Sequence, residues 1–237
     1  MNDHDPRLKA ISEEVVTSKG YVLEDARFIA SKEFTFRWKL NGDRVTLLVS
    51  DYIDDAPDQV IRQFVSGACT YIFGGRHVFG DDYLSYMRSD EFILKKRPTY
   101  FSRCRRIART DVGKYRNLFD SVQRLLDRGL LLNSDIDNTL FSWTKGENLT
   151  KLGYCAQMFR LVVISAVFDD PHVPEEILDY VVFHECLHLR QGYRPFNRHP
   201  HDAEFRRQES LYPDHQRLEK ELKEILRNRR GRAGIGP

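Results

Sequence analysis

An HExxH motif at residues 184–188, His-Glu-Cys-Leu-His, constrains the fold of this 237-residue chain more than any other feature. The motif lies in a stretch whose apolar spacing predicts a helix from Pro174 to Gln191. Residues i and i+4 share one face of a helix, so the imidazoles of His184 and His188 can reach one metal ion. Glu185 is turned by about 100° from His184, where it can accept a proton from water. The motif therefore predicts a helix that carries a metal site.

A metal site of this kind needs a further protein ligand, because a catalytic zinc ion takes three protein ligands and keeps one position for water. In the metzincin pattern, a third histidine follows six residues after the second. That position is Arg194 here, which excludes the pattern. The remaining pattern takes the ligand from a later helix, and the candidates are His199, His201, Glu204, Glu209 and His215. His201 is favoured because it lies just before the predicted last helix.

Three other residues near the motif have both a chemical and a structural interpretation. Tyr193 and Tyr212 could donate a hydrogen bond to an oxyanion, but ordinary half-buried tyrosines are the favoured interpretation. Cys186 is turned away from the face that carries the histidines, which favours packing over metal binding.

The four cysteines form no CxxC pair, so a cysteine-based zinc finger is excluded and free buried thiols are predicted.

Hydrophobic periodicity along the chain predicts an α+β fold. The strongest turn signal is Asn41-Gly42, which predicts a hairpin over residues 33–50. Pro98 falls in a predicted connector. The predicted helices span 5–20, 57–71, 81–92, 113–128, 174–191 and 202–226, and further strands span 140–144 and 159–167.

Basic and acidic residues nearly balance over the whole chain, 37 against 35, but not locally. Residues 95–116, the basic segment, hold nine basic residues and one acidic residue, with Tyr100, Phe101 and Tyr115 between them. Basic side chains neutralise phosphates and aromatic rings stack on unpaired bases, so one interpretation of this segment is a site for single-stranded nucleic acid. The other, which is slightly favoured, is a solvated face that balances acidic neighbours in the same protein.

The apolar runs are too short to cross a membrane. The longest, Leu161 to Phe168, is far below the roughly 20 residues of a transmembrane helix. The first residues are polar and acidic, without the basic start and apolar stretch of a secretory signal. We therefore expect a cytoplasmic protein without a membrane partner.

Four further elements surround HECLH at 184–188. They are a His-Asp-x-x-Phe element at 201–205, Leu152–Cys155, the strand Phe159–Ser165 and Pro174–Leu178. Together with the motif they resemble the SprT-like, or Spartan-type, zinc metallopeptidases, and the resemblance covers roughly residues 140–220. It implies a minimal zincin-like fold with a twisted β-sheet, an active-site helix and a second, C-terminal helix that brings the third ligand.

On this resemblance, Zn²⁺ is bound by His184, His188 and His201, and Glu185 is the catalytic base. The implied activity is that of a zinc metallopeptidase, a hydrolase in which a glutamate-activated, zinc-bound water cleaves peptide bonds of a protein or peptide substrate. His199 stays the alternative third ligand. The chain departs from the Spartan branch in having no C-terminal zinc finger, and residues 70–130 match no family element.

The resemblance also shapes the predicted domain organisation. We predict a single zincin-like domain over residues 1–225, with an N-terminal hairpin at 33–50, a basic helical insertion at 80–130 and the metallopeptidase core at 140–225. Residues 226–237 are predicted to form a disordered basic tail.

Two functions of other classes stay open. In one, the basic segment is the main functional element and the zinc site is structural or vestigial. In the other, the protein is a zinc hydrolase of a non-peptide amide. Three protein ligands plus water would argue for an enzyme, and four protein ligands for a structural site.

Overall fold

The computed structural model describes residues 6–75, 78–196 and 199–232. It has a mixed α+β fold, as predicted, with two three-stranded sheets. The chain divides into two compact units, residues 1–104 and 105–237. The single domain over residues 1–225 stays a prediction. In the described part of the chain, every helix is too short or too polar to cross a membrane.

The described residues of the first unit form a small three-stranded sheet and four α-helices. Strand β3 (Arg44–Ser50) is central, antiparallel to β2 (Phe36–Asn41) and parallel to β1 (Val22–Ile29). The predicted hairpin is present, and its tight turn contains Gly42 with a φ of +63°. The elements are α1 (Pro6–Thr17), β1 (Val22–Ile29), β2 (Phe36–Asn41), β3 (Arg44–Ser50), α2 (Asp58–Ile72), α3 (Asp81–Arg88) and α4 (Asp90–Arg103).

Helix α4 corrects the predicted connector around Pro98, because this proline lies inside the helix. The helix begins at a cap, where the Ser89 hydroxyl accepts a hydrogen bond from the Phe92 amide at 3.2 Å. Ion pairs anchor both halves of the helix to the loop after β3. Lys96 Nζ lies 2.8 Å from Asp55, and Arg103 donates to Asp51 at 2.5 Å. These contacts on both sides of the proline hold the helix together despite the hydrogen bond that Pro98 cannot donate.

The second unit contains the HExxH motif. Strand β6 (Leu161–Ile164) is central, parallel to β4 (Leu140–Trp143) and antiparallel to β5 (Gly153–Ala156), and its four residues are fully buried. Strand β5 is an addition to the predicted strands. The elements are α5 (Leu118–Asp127), α6 (Asn133–Ile136), β4 (Leu140–Trp143), β5 (Gly153–Ala156), β6 (Leu161–Ile164), α7 (Glu175–Gln191), α8 (Ala203–Glu209) and α9 (His215–Arg232).

Helix α7 carries the motif and matches the predicted helix closely. It follows Pro174, has two acidic residues in its first turn, and ends at Gly192 with a φ of +67°. The buried carboxylate of Asp179 pins it to α5, because Arg124 donates to that carboxylate at 2.7 and 2.8 Å and Ser121 also donates to it. The helix that positions the histidines is therefore fixed by packing and by a buried ion pair.

The C-terminal region differs from the prediction of one helix over 202–226. It forms α8 and α9, separated by a break that contains Pro213, and a proline disfavours helical backbone at the residue before it. Helix α9 continues to Arg232, so residues 226–232 are helical instead of part of a disordered tail. Arg229 explains this extension, since it pairs with Glu147 at 3.4 Å and with Asp170. The rest of the predicted tail, 233–237, lies outside the described residues.

Candidate metal centre

The three histidines predicted as zinc ligands come together. His184 and His188 extend from one face of α7, and His201 lies just before α8. One ring nitrogen of each lies within 4.8 Å of the others, and the Nε2 atoms of His188 and His201 are 3.1 Å apart. Tetrahedral ligands at about 2.1 Å from an ion lie about 3.4 Å from one another. The cluster therefore has the donor atoms and nearly the spacing of a metal site.

Phe205 and Asp202 explain how His201 reaches the cluster. Asp202 caps α8, since its Oδ1 accepts a hydrogen bond from the Phe205 amide at 2.8 Å. The fully buried Phe205 ring packs against all three imidazoles, with ring centroids 4.6 to 5.0 Å apart. The His-Asp-x-x-Phe element thus combines two features. Asp202 caps helix α8, and the Phe205 ring packs against the three histidine rings.

The outer nitrogens of two imidazoles are held by polar side chains. Glu209 Oε1 lies 2.6 Å from His184 Nδ1, and Gln191 Oε1 lies 3.3 Å from His188 Nδ1. A hydrogen bond at Nδ1 leaves Nε2 for a metal ion, which is the usual arrangement in histidine metal sites.

Burial and neighbouring charges shift the pKa values of the three imidazoles in different directions. Burial lowers the pKa of His188 to about 4 and also lowers the pKa of His201. Burial opposes a charge on His184, but the hydrogen bond with Glu209 and the charge of Glu185 outweigh it and raise its pKa. His188 is therefore neutral at physiological pH and ready to bind a metal, while a proton on His184 would be displaced by the ion.

Glu185 lies beside the histidines with only 7% of its surface exposed. It lies so close to Gly153 on β5 that a Cβ atom at Gly153 would come within 2.7 Å of Glu185 Oε1. Burial raises the pKa of Glu185 to about 7, and the charge of His184 opposes this. A carboxyl group that titrates near neutral pH can both accept and release a proton.

A cleft of about 370 Å³ runs past Glu185 and His184. Its wall also includes Lys151, Gly153, Tyr180 and Glu209. The cleft is therefore lined by the part of α7 that carries the motif, by β5 and by the C-terminal helices α8 and α9.

The edge of the sheet at this cleft is β5. The strand that was predicted over 159–167 is the central strand β6 and so cannot be an edge. On the far side, β4 is covered by residues 106–110, because Ala108 N donates to Trp143 O at 2.8 Å and Trp143 N donates to Thr110 O at 3.0 Å. Strand β5 thus faces the cleft next to Glu185.

No protein-family model, curated protein or solved structure matches the chain. The resemblance to SprT-like peptidases therefore stays a prediction that rests on the motifs.

The remaining ligand candidates lie in other environments. In the described part of the chain, the group with metal-ligand spacing contains His201 and leaves out His199. Glu204 is exposed on α8 and pairs with Arg207 at 2.6 Å, while His215 begins α9. Glu209, on the same helix as Glu204, contacts the outer nitrogen of His184.

Tyr212 and Cys186 both lie in the interior of the protein. Tyr212 is fully buried, and its hydroxyl lies 3.3 Å from Arg128 and 3.4 Å from the Glu176 carbonyl, which agrees with a packing role. Cys186 is fully buried as predicted. The thiols are free, and Cys155 is only partly buried.

The basic segment separates into two environments. In α4, Lys95 and Lys96 pair with Asp54 and Asp55, and Tyr100 is buried. Beyond α4, Arg105 and Arg106 are exposed, and among the described residues no carboxylate lies within 4.0 Å of either. Tyr115 is 54% exposed.

Proposed function

We propose that this protein is a zinc-dependent metallopeptidase. The proposal is carried by one observation, the cluster of His184, His188 and His201 beside the buried carboxyl group of Glu185. Three imidazole ligands suit Zn²⁺ and leave one coordination position for water, which is the arrangement of catalytic zinc sites. A zincin-like arrangement of the second unit is part of this proposal, as is the predicted cytoplasmic location.

The residues around the cleft can carry out amide hydrolysis. When bound, Zn²⁺ would polarise the scissile carbonyl group and make water more acidic. Glu185 accepts a proton from the attacking water, whose oxygen bonds to the carbonyl carbon. The C–N bond then breaks, and Glu185 delivers its proton to the leaving amine nitrogen.

An extended peptide fits the position of β5. The main-chain groups of an edge strand can pair with an added strand, which is a common mode of peptide recognition. Strand β5 pairs with β6 on one side, and Gly153 brings its backbone close to Glu185. A peptide paired along the other side of β5 would pass beside the general base.

The experiment that tests the proposal uses the zinc-loaded protein and a fluorescently labelled, unfolded casein. We expect cleavage that stops when 1,10-phenanthroline removes the metal and returns when Zn²⁺ is added. Cleavage that persists in the metal-free protein would contradict the proposal. Inactivity on casein, combined with zinc-dependent cleavage of small non-peptide amides, would favour the alternative hydrolase.

A second proposal concerns the part of the basic segment that follows α4. We propose that residues 105–116 bind single-stranded nucleic acid. The observation that favours this is the pair of exposed arginines, Arg105 and Arg106, near Tyr115 in the sequence, whereas Lys95 and Lys96 are already neutralised by carboxylates. Arg103 belongs to the neutralised group because it pairs with Asp51 at 2.5 Å.

Reversing Arg105 and Arg106 to glutamate should abolish binding of a labelled single-stranded oligonucleotide in fluorescence anisotropy. The logarithm of the wild-type affinity should fall with the logarithm of salt concentration by about 0.7 per phosphate contacted. The control is the double reversal of Arg37 and Lys39, exposed residues of β2, which changes the net charge equally and should leave binding intact. Absence of wild-type binding at low salt would sink this proposal.

A further inference from the structure

We propose that Glu209 is a positioning residue of the metal centre, and that it fixes the orientation of His184 with the support of Tyr180. The inference rests on the zinc site of the proposed function. It concerns a side chain that the motifs do not single out, since Glu209 lies outside both HExxH and the His-Asp-x-x-Phe element.

The carboxylate of Glu209 is placed to hold one ring. Glu209 is the last residue of α8, and its Oε1 lies 2.6 Å from His184 Nδ1. Its side chain is 17% exposed, so this hydrogen bond is largely shielded from water. A carboxylate at Nδ1 keeps the proton on that nitrogen, so the unprotonated Nε2 is directed to the metal.

Tyr180 supports this carboxylate from the helix that carries the motif. It lies one turn before His184 on α7, so the two side chains share a face. Its hydroxyl lies 3.2 Å from Glu209 Oε1 and 3.4 Å from Glu219 Oε1 on α9. Tyr180 is 4% exposed, and its ring packs against Tyr212 at 5.3 Å. These hydrogen bonds link α7, α8 and α9 next to the outer nitrogen, Nδ1, of the His184 ring.

A role as a metal ligand explains the position of Glu209 less well. In the described part of the chain, the group with metal-ligand spacing consists of three histidines and does not include this carboxylate. Its oxygen instead hydrogen-bonds to the outer nitrogen of one of them. Loss of such an outer carboxylate typically weakens metal binding by about 10- to 100-fold.

The test compares the zinc dissociation constants of the wild-type protein and three variants by competition with a chromophoric chelator. We expect Glu209→Ala to weaken zinc binding by about 10- to 100-fold. Glu209→Gln should lose less, because its amide oxygen can still accept the hydrogen bond from Nδ1–H. The matched control is Glu204→Ala on the same helix, whose exposed carboxylate pairs with Arg207. This variant should bind zinc as the wild type does.

Two spectra distinguish positioning from ligation and from general stability. In zinc-loaded wild type, nitrogen-15 NMR should show a hydrogen-bonded Nδ1–H proton on His184, and this signal should be lost in Glu209→Ala. The absorption bands of Co²⁺-substituted protein should keep their positions in Glu209→Ala. A shifted band pattern would mean that Glu209 is a ligand and would overturn the inference.

Several outcomes separate this inference from the proposed function. If the wild-type protein does not bind zinc through its histidines, the proposed function fails and the inference fails with it. If the wild type binds zinc and Glu209→Ala binds within twofold of it, only the inference is overturned. Should Glu209→Ala fail to fold, as judged by circular dichroism, Glu209→Gln decides. Zinc affinity equal to that of the wild type in that variant would then overturn the inference, because loss of the carboxylate charge should still weaken metal binding.

Discussion

Replacing His201 with alanine should weaken zinc binding by about 100- to 1,000-fold, because a four-ligand zinc site contributes about 10–16 kcal/mol, or about 3 kcal/mol per ligand. His199→Ala should bind zinc as tightly as the wild type, since the cluster contains the His201 ring and leaves out that of His199. The measurement is the metal content of each purified variant after dialysis against a chelator of known zinc affinity.

His201→Ala and His199→Ala form a matched pair, because the two residues have one proline between them and both side chains are exposed. Neither substitution leaves a cavity in the core, so both variants should keep the thermal unfolding temperature of the metal-free wild type. Loss of zinc from the His199 variant alone would show that the third ligand is wrongly assigned. Equal loss from both variants would argue against a site with three protein ligands.

The sequence predicted the histidine cluster because local geometry controls most of it. The spacing of His184 and His188 places them on one face wherever a helix forms, and α7 forms where its proline and glycine boundaries indicate. His201 joins them through a short element, in which Asp202 caps α8 and Phe205 packs beneath the rings. Features that depend on residues within four positions of one another, such as this histidine pair and this helix cap, can therefore be predicted from the sequence.

Glu209 was harder to assign because its position depends on a break in the chain. The sequence predicted one helix over 202–226, whereas α8 ends at Glu209 and α9 begins after Pro213. The signal was present, since a proline inside a helical pattern marks a probable boundary. Asp214 has a φ of +54°, which also marks the break.

Strand β5 and the inner part of α4 show where tertiary contacts outweigh local preference. Strand β5 is four residues long and begins with Gly153, so neither its length nor its composition predicts a strand. It forms because its backbone pairs with β6. In α4, Pro98 argues against a helix, but ion pairs such as Lys96 with Asp55 join residues 41 positions apart, beyond any local pattern.

Glu185→Gln should lower the rate of peptide hydrolysis by about 100- to 10,000-fold, which is the usual contribution of a general base. The amide of glutamine has nearly the shape of the carboxyl group, so it fits against Gly153, where space is limited. It cannot take up the proton from water. The measurement is the rate of casein cleavage by zinc-loaded variant and wild-type protein at equal metal content.

The control for this variant is Glu176→Gln, which changes an acidic residue in the first turn of the same helix and should leave the rate nearly unchanged. Glu176 pairs with Arg217 at 2.7 Å, so its loss affects an exposed ion pair of small stabilising effect.

Zinc affinity should be retained in Glu185→Gln, because its side chain lies beside the three ligands and is not one of them. Full activity in a zinc-loaded Glu185→Gln protein would exclude Glu185 as the base. The zinc-loaded wild type could also prove as inactive as this variant on every amide tested. That result would favour a structural zinc site, because the buried carboxyl group would then take no part in hydrolysis.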